Sequence, residues 1–162
     1  MPFNHFDDEG RAHMVDVSGK ETTDREARAE ALVQLGPDLL AAVLDRDIAK
    51  GDVFGVARLA GIAAVKKTSD LIPLAHPLSI HHVTVAFKPD QADGSVRVEC
   101  TVRARERTGV EMEAMTGASV AALAIYDMCK GRDKAITIGP VRLLYKSGGK
   151  SGTFRAEGQA GP

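Results

Sequence analysis

Apolar residues recur along this chain with two different periods, and the changes of period divide it into elements. In residues 24–35, Ala27, Ala29, Ala31 and Val33 alternate with Glu26, Arg28, Glu30 and Leu32. The Ala, Glu, Arg and Leu content favours a helix, but a period of two is that of a half-buried strand, and the alternation decides for strand over most of the run. Pro37 opens a short apolar stretch, residues 39–44, that suits a brief helix with proline in its first turn. Asp52 has the chemistry of an N-cap for a helix over residues 53–67, with Phe54, Ala57, Leu59, Ile62, Ala63 and Val65 supplying its apolar faces. Pro73 and Pro77 end any helix nearby and stiffen the loop between them.

Two β-rich runs follow, residues 78–87 and 96–105, separated by Pro89, Asp90, Asp93 and Gly94 as in an antiparallel hairpin. The second run sets Val96, Val98, Cys100 or Thr101, and Val102 against Arg97, Glu99 and Arg103, so one face is buried and one is wet. Residues 112–130, rich in Ala, Met and Leu, make the best helix in the chain, with Gly131 placed to terminate it. Residues 136–145 supply a last strand. The order strand, helix, strand, strand, helix, strand predicts an α+β fold of the ferredoxin-like split βαβ type, an antiparallel sheet with helices packed on one face.

The chain has 162 residues, a length that suits one domain able to bury a core without a disulfide or metal staple. Residues 1–14 read as a polar N-terminal arm, residues 15–154 as a single catalytic domain, and residues 155–162 as a disordered tail. Cys100 and Cys129 have no CxxC partner, and neither a secretory h-region nor a long apolar window is present. A cytoplasmic protein with no membrane association is expected. Lys plus Arg number 21 against 22 Asp plus Glu, for a net charge of −1. This disfavours a nucleic-acid surface, as does the hairpin, where Phe87 is the only aromatic available for stacking. Neutrality conceals segregation, however: residues 130–155 carry Lys130, Arg132, Lys134, Arg142, Lys146, Lys150 and Arg155 against the single acid Asp133. Such a segment is sized for one polyphosphate.

Asp127 and Lys130 stand three apart near the end of the long helix and so emerge on one face as neighbours. They are either a surface ion pair, with lysine favoured by the helix dipole, or an acid/base pair that exchanges protons with a substrate. Glu111 and Glu113 flank Met112 just before this helix, where a carboxylate serves the dipole or accepts paired N–H donors from a purine or pterin ring. From Glu113 to Asp127 is about 21 Å along an ideal helix. One small substrate cannot easily reach both within a subunit, so if both act, the site is built between two copies. His76, in the loop stiffened by Pro73 and Pro77, suits an anion or substrate contact. His81 and His82, adjacent on a strand, point to opposite faces and cannot hold one metal together, and no spacing resembles a zinc site. Lys146-Ser147-Gly148-Gly149-Lys150-Ser151 is either a flexible linker or a phosphate-binding turn, but no Walker loop, because Leu144 stands where that motif needs glycine and no helix follows. Lys50 and Lys66 add to the cationic groups available to a polyanion.

Five stretches are more specific than any spacing: Lys50-Gly51-Asp52-Val53-Phe54, Asp70-Leu71-Ile72-Pro73-Leu74-Ala75-His76-Pro77-Leu78, Thr108-Gly109-Val110-Glu111-Met112-Glu113-Ala114, Ile125-Tyr126-Asp127-Met128-Cys129-Lys130 and Ile138-Gly139-Pro140-Val141-Arg142-Leu143-Leu144. In order and without large gaps, over residues 6–154, they closely resemble the cyclic pyranopterin monophosphate synthase family, the molybdenum cofactor biosynthesis protein C family. The resemblance implies a lyase that rearranges a cyclic dihydro-GTP, made by a radical enzyme, into a tricyclic pyranopterin with a cyclic phosphate and releases pyrophosphate, without a cofactor. It places the catalytic pair on Asp127 and Lys130 and substrate contacts on Leu74, Ala75, His76, Met112 and Glu113, with Lys50 and Lys146 at the polar end of the site. It further implies a hexamer, a trimer of dimers, with active sites at the dimer interface. Many relatives carry cysteine where this chain has Ala75, so an active protein needs no thiol there. Gly117 replaces an alanine found in some relatives, at a cost of about 1 kcal/mol if exposed. A non-enzymatic ferredoxin-like nucleotide sensor is the competing class; it would need neither Asp127 nor Lys130.

Overall fold

A computed structural model describes residues 4–158. The first three residues of the polar arm and residues 159–162 of the expected tail lie outside the described residues.

The elements are β1 (Thr23–Gln34), α1 (Pro37–Leu44), α2 (Val53–Lys66), α3 (Thr68–Leu71), β2 (Ile80–Asp90), β3 (Ser95–Glu106), α4 (Glu111–Cys129), β4 (Thr137–Ser147) and β5 (Phe154–Arg155). They form one sheet in the order β2-β3-β1-β4-β5, with every neighbouring pair antiparallel. The first four positions are the ferredoxin-like order expected from the sequence, and β5 lengthens the edge by two residues.

The alternation in β1 works as a strand should. Ala27, Ala29, Ala31 and Val33 are fully buried and face Val102, Cys100, Val98 and Val96 of β3 in register. The other face carries ion pairs, among them Arg103 to Glu26 at 2.8 Å and Arg142 to Glu30 at 2.7 Å. Burying one face under helices stabilises the strand by more than the helix propensity of alanine opposes it.

α2 starts where the cap requires: the Asp52 carboxylate accepts from the Gly55 N–H at 3.0 Å. Phe54 stacks on Phe87 of β2, with ring centroids 4.8 Å apart. α2 crosses α4 at Gly61 and Gly117. A Cβ on Gly117 would lie 2.6 Å from Cys100 Sγ and 2.7 Å from Val65 Cγ2, so glycine here permits the helices and sheet to approach. Gly117 is therefore a buried packing site, and the exposed-helix cost does not apply to it.

Several boundaries differ from the pattern-based expectation. α4 runs from Glu111 to Cys129, and Gly131 does not end it in the left-handed conformation. Instead the Arg132 and Asp133 N–H groups turn back to the Cys129 carbonyl at 2.9 and 3.4 Å. α3 escaped the periodicity because it is one turn long, and it is started by Thr68, whose hydroxyl donates to the Ala64 and Val65 carbonyls. Strict alternation also fails at His81, because a register shift between Ile80 and His82 interrupts the β2 ladder, and both histidines are exposed. Arg155, placed in the tail by composition, pairs with Tyr145 in β5, and the Ala156 N–H donates to the Leu144 carbonyl at 2.9 Å. Among the described residues no helix is long and apolar enough to cross a membrane.

Candidate active site

The two ends of α4 carry two different clusters. Its first turn opens onto a cavity of about 610 Å³, walled by Glu111, Met112 and Glu113 from the helix and by Leu74, Ala75 and His76 from the loop after α3. Pro73 lines the same cavity and stands in a turn closed by the Ala75 N–H on the Ile72 carbonyl at 3.1 Å. Gly109, just before the helix, leaves the space into which the Glu111 carboxylate folds. Lys66, the last residue of α2, borders a smaller adjoining cavity of about 80 Å³ that shares His76 and Glu113.

Glu113 is 4% exposed. Burial, the largest cause, together with the Glu111 charge, pushes its carboxyl up to about 7, against a lowering hydrogen bond from the backbone. This carboxyl can therefore change protonation near neutral pH.

The outer wall of the cavity comes from the N-terminal arm, through Asn4, His5 and Ala12, and from the segment joining it to β1, through Val15, Val17 and Lys20. The arm folds as a small hairpin, with Phe6 bridged to Ala12 and the Asp7 N–H donating to the Arg11 carbonyl at 2.9 Å. It is anchored by His76, whose Nε2 lies 2.7 Å from the Val15 carbonyl. A carbonyl only accepts, so Nε2 donates in this contact. The arm's polar composition gave no sign that it contributes to a cavity wall.

At the far end of α4, Lys130 Nζ lies 2.6 Å from Asp127 Oδ1. Lys50, in the loop before α2, donates to the Asp127 backbone carbonyl at 2.7 Å and stands 3.6 Å from Asp127 Oδ2. Hydrogen bonding and charge from Lys130, then the Lys50 charge, hold the Asp127 carboxyl below its usual range. The same bond raises Lys130. The pair therefore rests ionised, as carboxylate and ammonium, and the bond between them makes the one a weaker base and the other a weaker acid than either would be alone. No sequence spacing pointed to the contact between Lys50 and Asp127, which crosses from one element to another.

Lys146 stands apart from both clusters. It pairs with Ala27 of β1 near the end of the β1–β4 ladder and donates to the Ser151 hydroxyl. The turn that follows, with Gly148 at φ 99° and Gly149 at φ 74°, wraps the Arg25 side chain so closely that a Cβ on Gly149 would collide with its guanidinium. Arg25, whose Nε donates to the Glu106 carbonyl at 3.1 Å, joins Lys146 at this end of the sheet. Arg25 is the one charged residue in phase with Ala27, Ala29, Ala31 and Val33, a break in the apolar half of the alternation that by itself says nothing of a site. Among the described residues no group of three or more His, Cys, Asp or Glu side chains could hold a metal ion.

A family model described as the MoaC family matches residues 14–149. The chain belongs to the MoaC family. Among curated MoaC relatives, a protein from Geotalea uraniireducens is 67% identical over 97% of this chain and 98% of its own length. Another, from Geobacter sulfurreducens, is 68% identical over 98% of this chain and all of its own. A more distant one, from Pelotomaculum thermopropionicum, is 54% identical over 96% of this chain and 91% of its own. All three are named cyclic pyranopterin monophosphate synthase.

The match over residues 14–149 takes in both ends of α4, the loop with His76, and Lys146. It begins within the arm, just ahead of Val15, so the carbonyl that anchors His76 lies inside the MoaC portion of the chain.

Proposed function

We infer that this chain is a cyclic pyranopterin monophosphate synthase, a lyase of molybdenum cofactor biosynthesis. The observation that carries the reading is full-length identity of 67–68% to relatives of that name. The substrate is (8S)-3',8-cyclo-7,8-dihydroguanosine 5'-triphosphate and the products are cyclic pyranopterin monophosphate and pyrophosphate.

Opening an aminal, releasing amines and closing a cyclic phosphate with loss of pyrophosphate all require proton transfer. Asp127 serves as general base and Lys130 as general acid: each starts in the protonation state its role needs, and substrate must part their 2.6 Å contact, which otherwise weakens both, before a proton moves. Lys50 holds a second positive charge against the same carboxylate. The cavity receives the purine-derived ring: Glu113 accepts from ring N–H donors, Leu74, Ala75 and Met112 flank the ring, and His76 and Lys66 meet the polar edge. Lys146, with Arg25 beside its turn, meets phosphate and stabilises charge developing on the leaving pyrophosphate.

The cavity and the Asp127 cluster occupy opposite ends of a 19-residue helix, roughly 28 Å long at 1.5 Å per residue. This separation favours a site assembled from two copies, the cavity of one meeting the Asp127 cluster of another, within a hexamer built as a trimer of dimers. Two buried free thiols fit a reducing, cytoplasmic compartment. The radical enzyme that supplies the substrate acts immediately before it.

A single-turnover assay with the cyclic dihydro-GTP tests the reading. Pyranopterin and pyrophosphate should form together. Tight binding without turnover would favour the nucleotide-sensor class instead.

A further inference from the structure

The loop that carries Lys50 is fastened to the end of α4 at two points, and only one of them involves a residue of the proposed acid–base centre. The loop leaves α1 through Asp45, whose N–H donates to Ala41, and Asp47, whose N–H donates to Ala42. Between them Arg46 has φ 59°, a left-handed conformation uncommon for a long side chain, and Gly51 has φ 99° just after Lys50. Lys50 stands in a tight turn closed by the Gly51 N–H on the Ile48 carbonyl at 2.9 Å, with Ile48 buried, and side-chain contacts join this turn to the end of α4. One fastening is Lys50 itself, on the Asp127 carbonyl at 2.7 Å. The other is Arg132, whose Nη2 donates to the Asp47 carbonyl at 2.6 Å and to the Asp47 carboxylate at 3.0 Å.

Arg132 follows Lys130 by two residues and Asp47 precedes Lys50 by three, so the two fastenings are parallel rungs between the same two segments. Because Arg132 takes both the main-chain and the side-chain oxygen of one residue, it fixes the backbone of the loop as well as a carboxylate. The pair is exposed, 50% for Arg132 and 77% for Asp47, and an ion pair in that setting contributes little to folding. Its effect is on register.

We propose that Arg132 and Asp47 are positioning residues that set the Lys50 loop against the end of α4, so that the Lys50 ammonium meets Asp127 in a fixed geometry. The proposal rests on the reading of Asp127, Lys130 and Lys50 as the acid–base centre. Neither residue touches substrate in this scheme; each acts through Lys50.

The test uses the full chain, measuring kcat and KM for the cyclic dihydro-GTP together with the thermal unfolding midpoint. R132M should lower kcat about tenfold, because loosening a catalytic group by a fraction of an ångström is enough for that. KM should stay within about twofold of wild type and the unfolding midpoint should not move. R132K, which keeps a donor, should recover most of kcat, and D47A, which leaves the main-chain oxygen in place, should show a smaller loss than R132M. In a K50A background R132M should add nothing, because its route of action is gone. Wild-type kcat in R132M with an impaired K50A overturns the positioning role alone. Losses that multiply in the double variant, or a fall in the unfolding midpoint that accounts for the loss, overturn it as well. Wild-type kcat in K50A removes Lys50 from the centre and overturns both readings. If R132M does not fold, R132K and D47A carry the same comparisons.

Discussion

Lys130 and Asp127 are joined by a 2.6 Å contact between Nζ and Oδ1 one helical turn apart, at the exposed end of α4. An ion pair in water contributes little to stability. Losing either partner should therefore leave the fold alone and remove the chemistry. Asp127→Asn and Lys130→Ala should each retain the wild-type unfolding midpoint and oligomer size while losing at least about a hundredfold in kcat, the scale of a general acid or base. In Lys130→Ala the Asp127 carboxyl should also titrate at higher pH than in wild type, since the bond and charge that depress it are gone. Near-normal turnover in either variant, measured as pyranopterin formed, would remove that residue from the mechanism.

Glu113 offers a pH signature at the other end of the helix. Its carboxyl is raised to about 7 in the folded protein, above its ordinary range, so between about 4.5 and about 7 the folded state binds more protons than the unfolded. Stability from this group is full below that window and is lost as pH rises through it. Glu113→Gln should unfold at a higher temperature than wild type at pH 8, with a smaller difference at pH 5. If ring N–H donors need the carboxylate, wild-type KM should fall as pH rises through 7, and the variant's should be higher and flat. A KM profile unchanged by the substitution would contradict the ring contact.

Gly117→Ala tests packing. Helix propensity alone favours alanine by about 1 kcal/mol, but its Cβ would sit 2.6 Å from Cys100 Sγ and 2.7 Å from Val65 Cγ2. Overpacking of that kind costs about 1–3 kcal/mol. A lower unfolding midpoint by calorimetry is expected, and a higher one would mean that α2 can move aside freely.

For Lys146, the expected loss is of affinity more than of rate. Lys146→Ala should raise KM, and adding salt should weaken substrate binding by wild type more than by the variant, since one screened contact to phosphate is missing. Identical salt slopes and affinities in the two proteins would show that the segment is only a linker.

Much of the fold was readable because its elements are long enough to show their period. β1 declared itself through Ala27, Ala29, Ala31 and Val33 against its own helix-favouring composition, since burial of one face outweighs propensity. The strand order followed from the order of elements. What escaped was set by geometry between distant segments. A single turn such as α3 has no period to display, and the shift near His81 depends on its partner strand. The end of α4 is a turn onto Cys129 that makes a left-handed Gly131 unnecessary. At the candidate site, residues embedded in motifs, such as His76 and Glu113, could be picked out beforehand. His5 and Lys20 could not, because nothing in their local sequence separates them from other exposed polar residues, and Arg25 showed only as a charge out of place in the apolar phase of β1.

α4 also sets an angular phase. Each residue of an α-helix turns the side chain by about 100° and advances it 1.5 Å, so the count between Met112 and Asp127 decides which way the far cluster faces relative to the cavity. Adding one residue near Ser119 would shift the two ends by only that small distance, yet would swing Asp127 and Lys130 more than a quarter of the way around the axis, away from Lys50. The length of this helix is therefore constrained more tightly than its composition, and insertions within it should be far more damaging than substitutions on its exposed side.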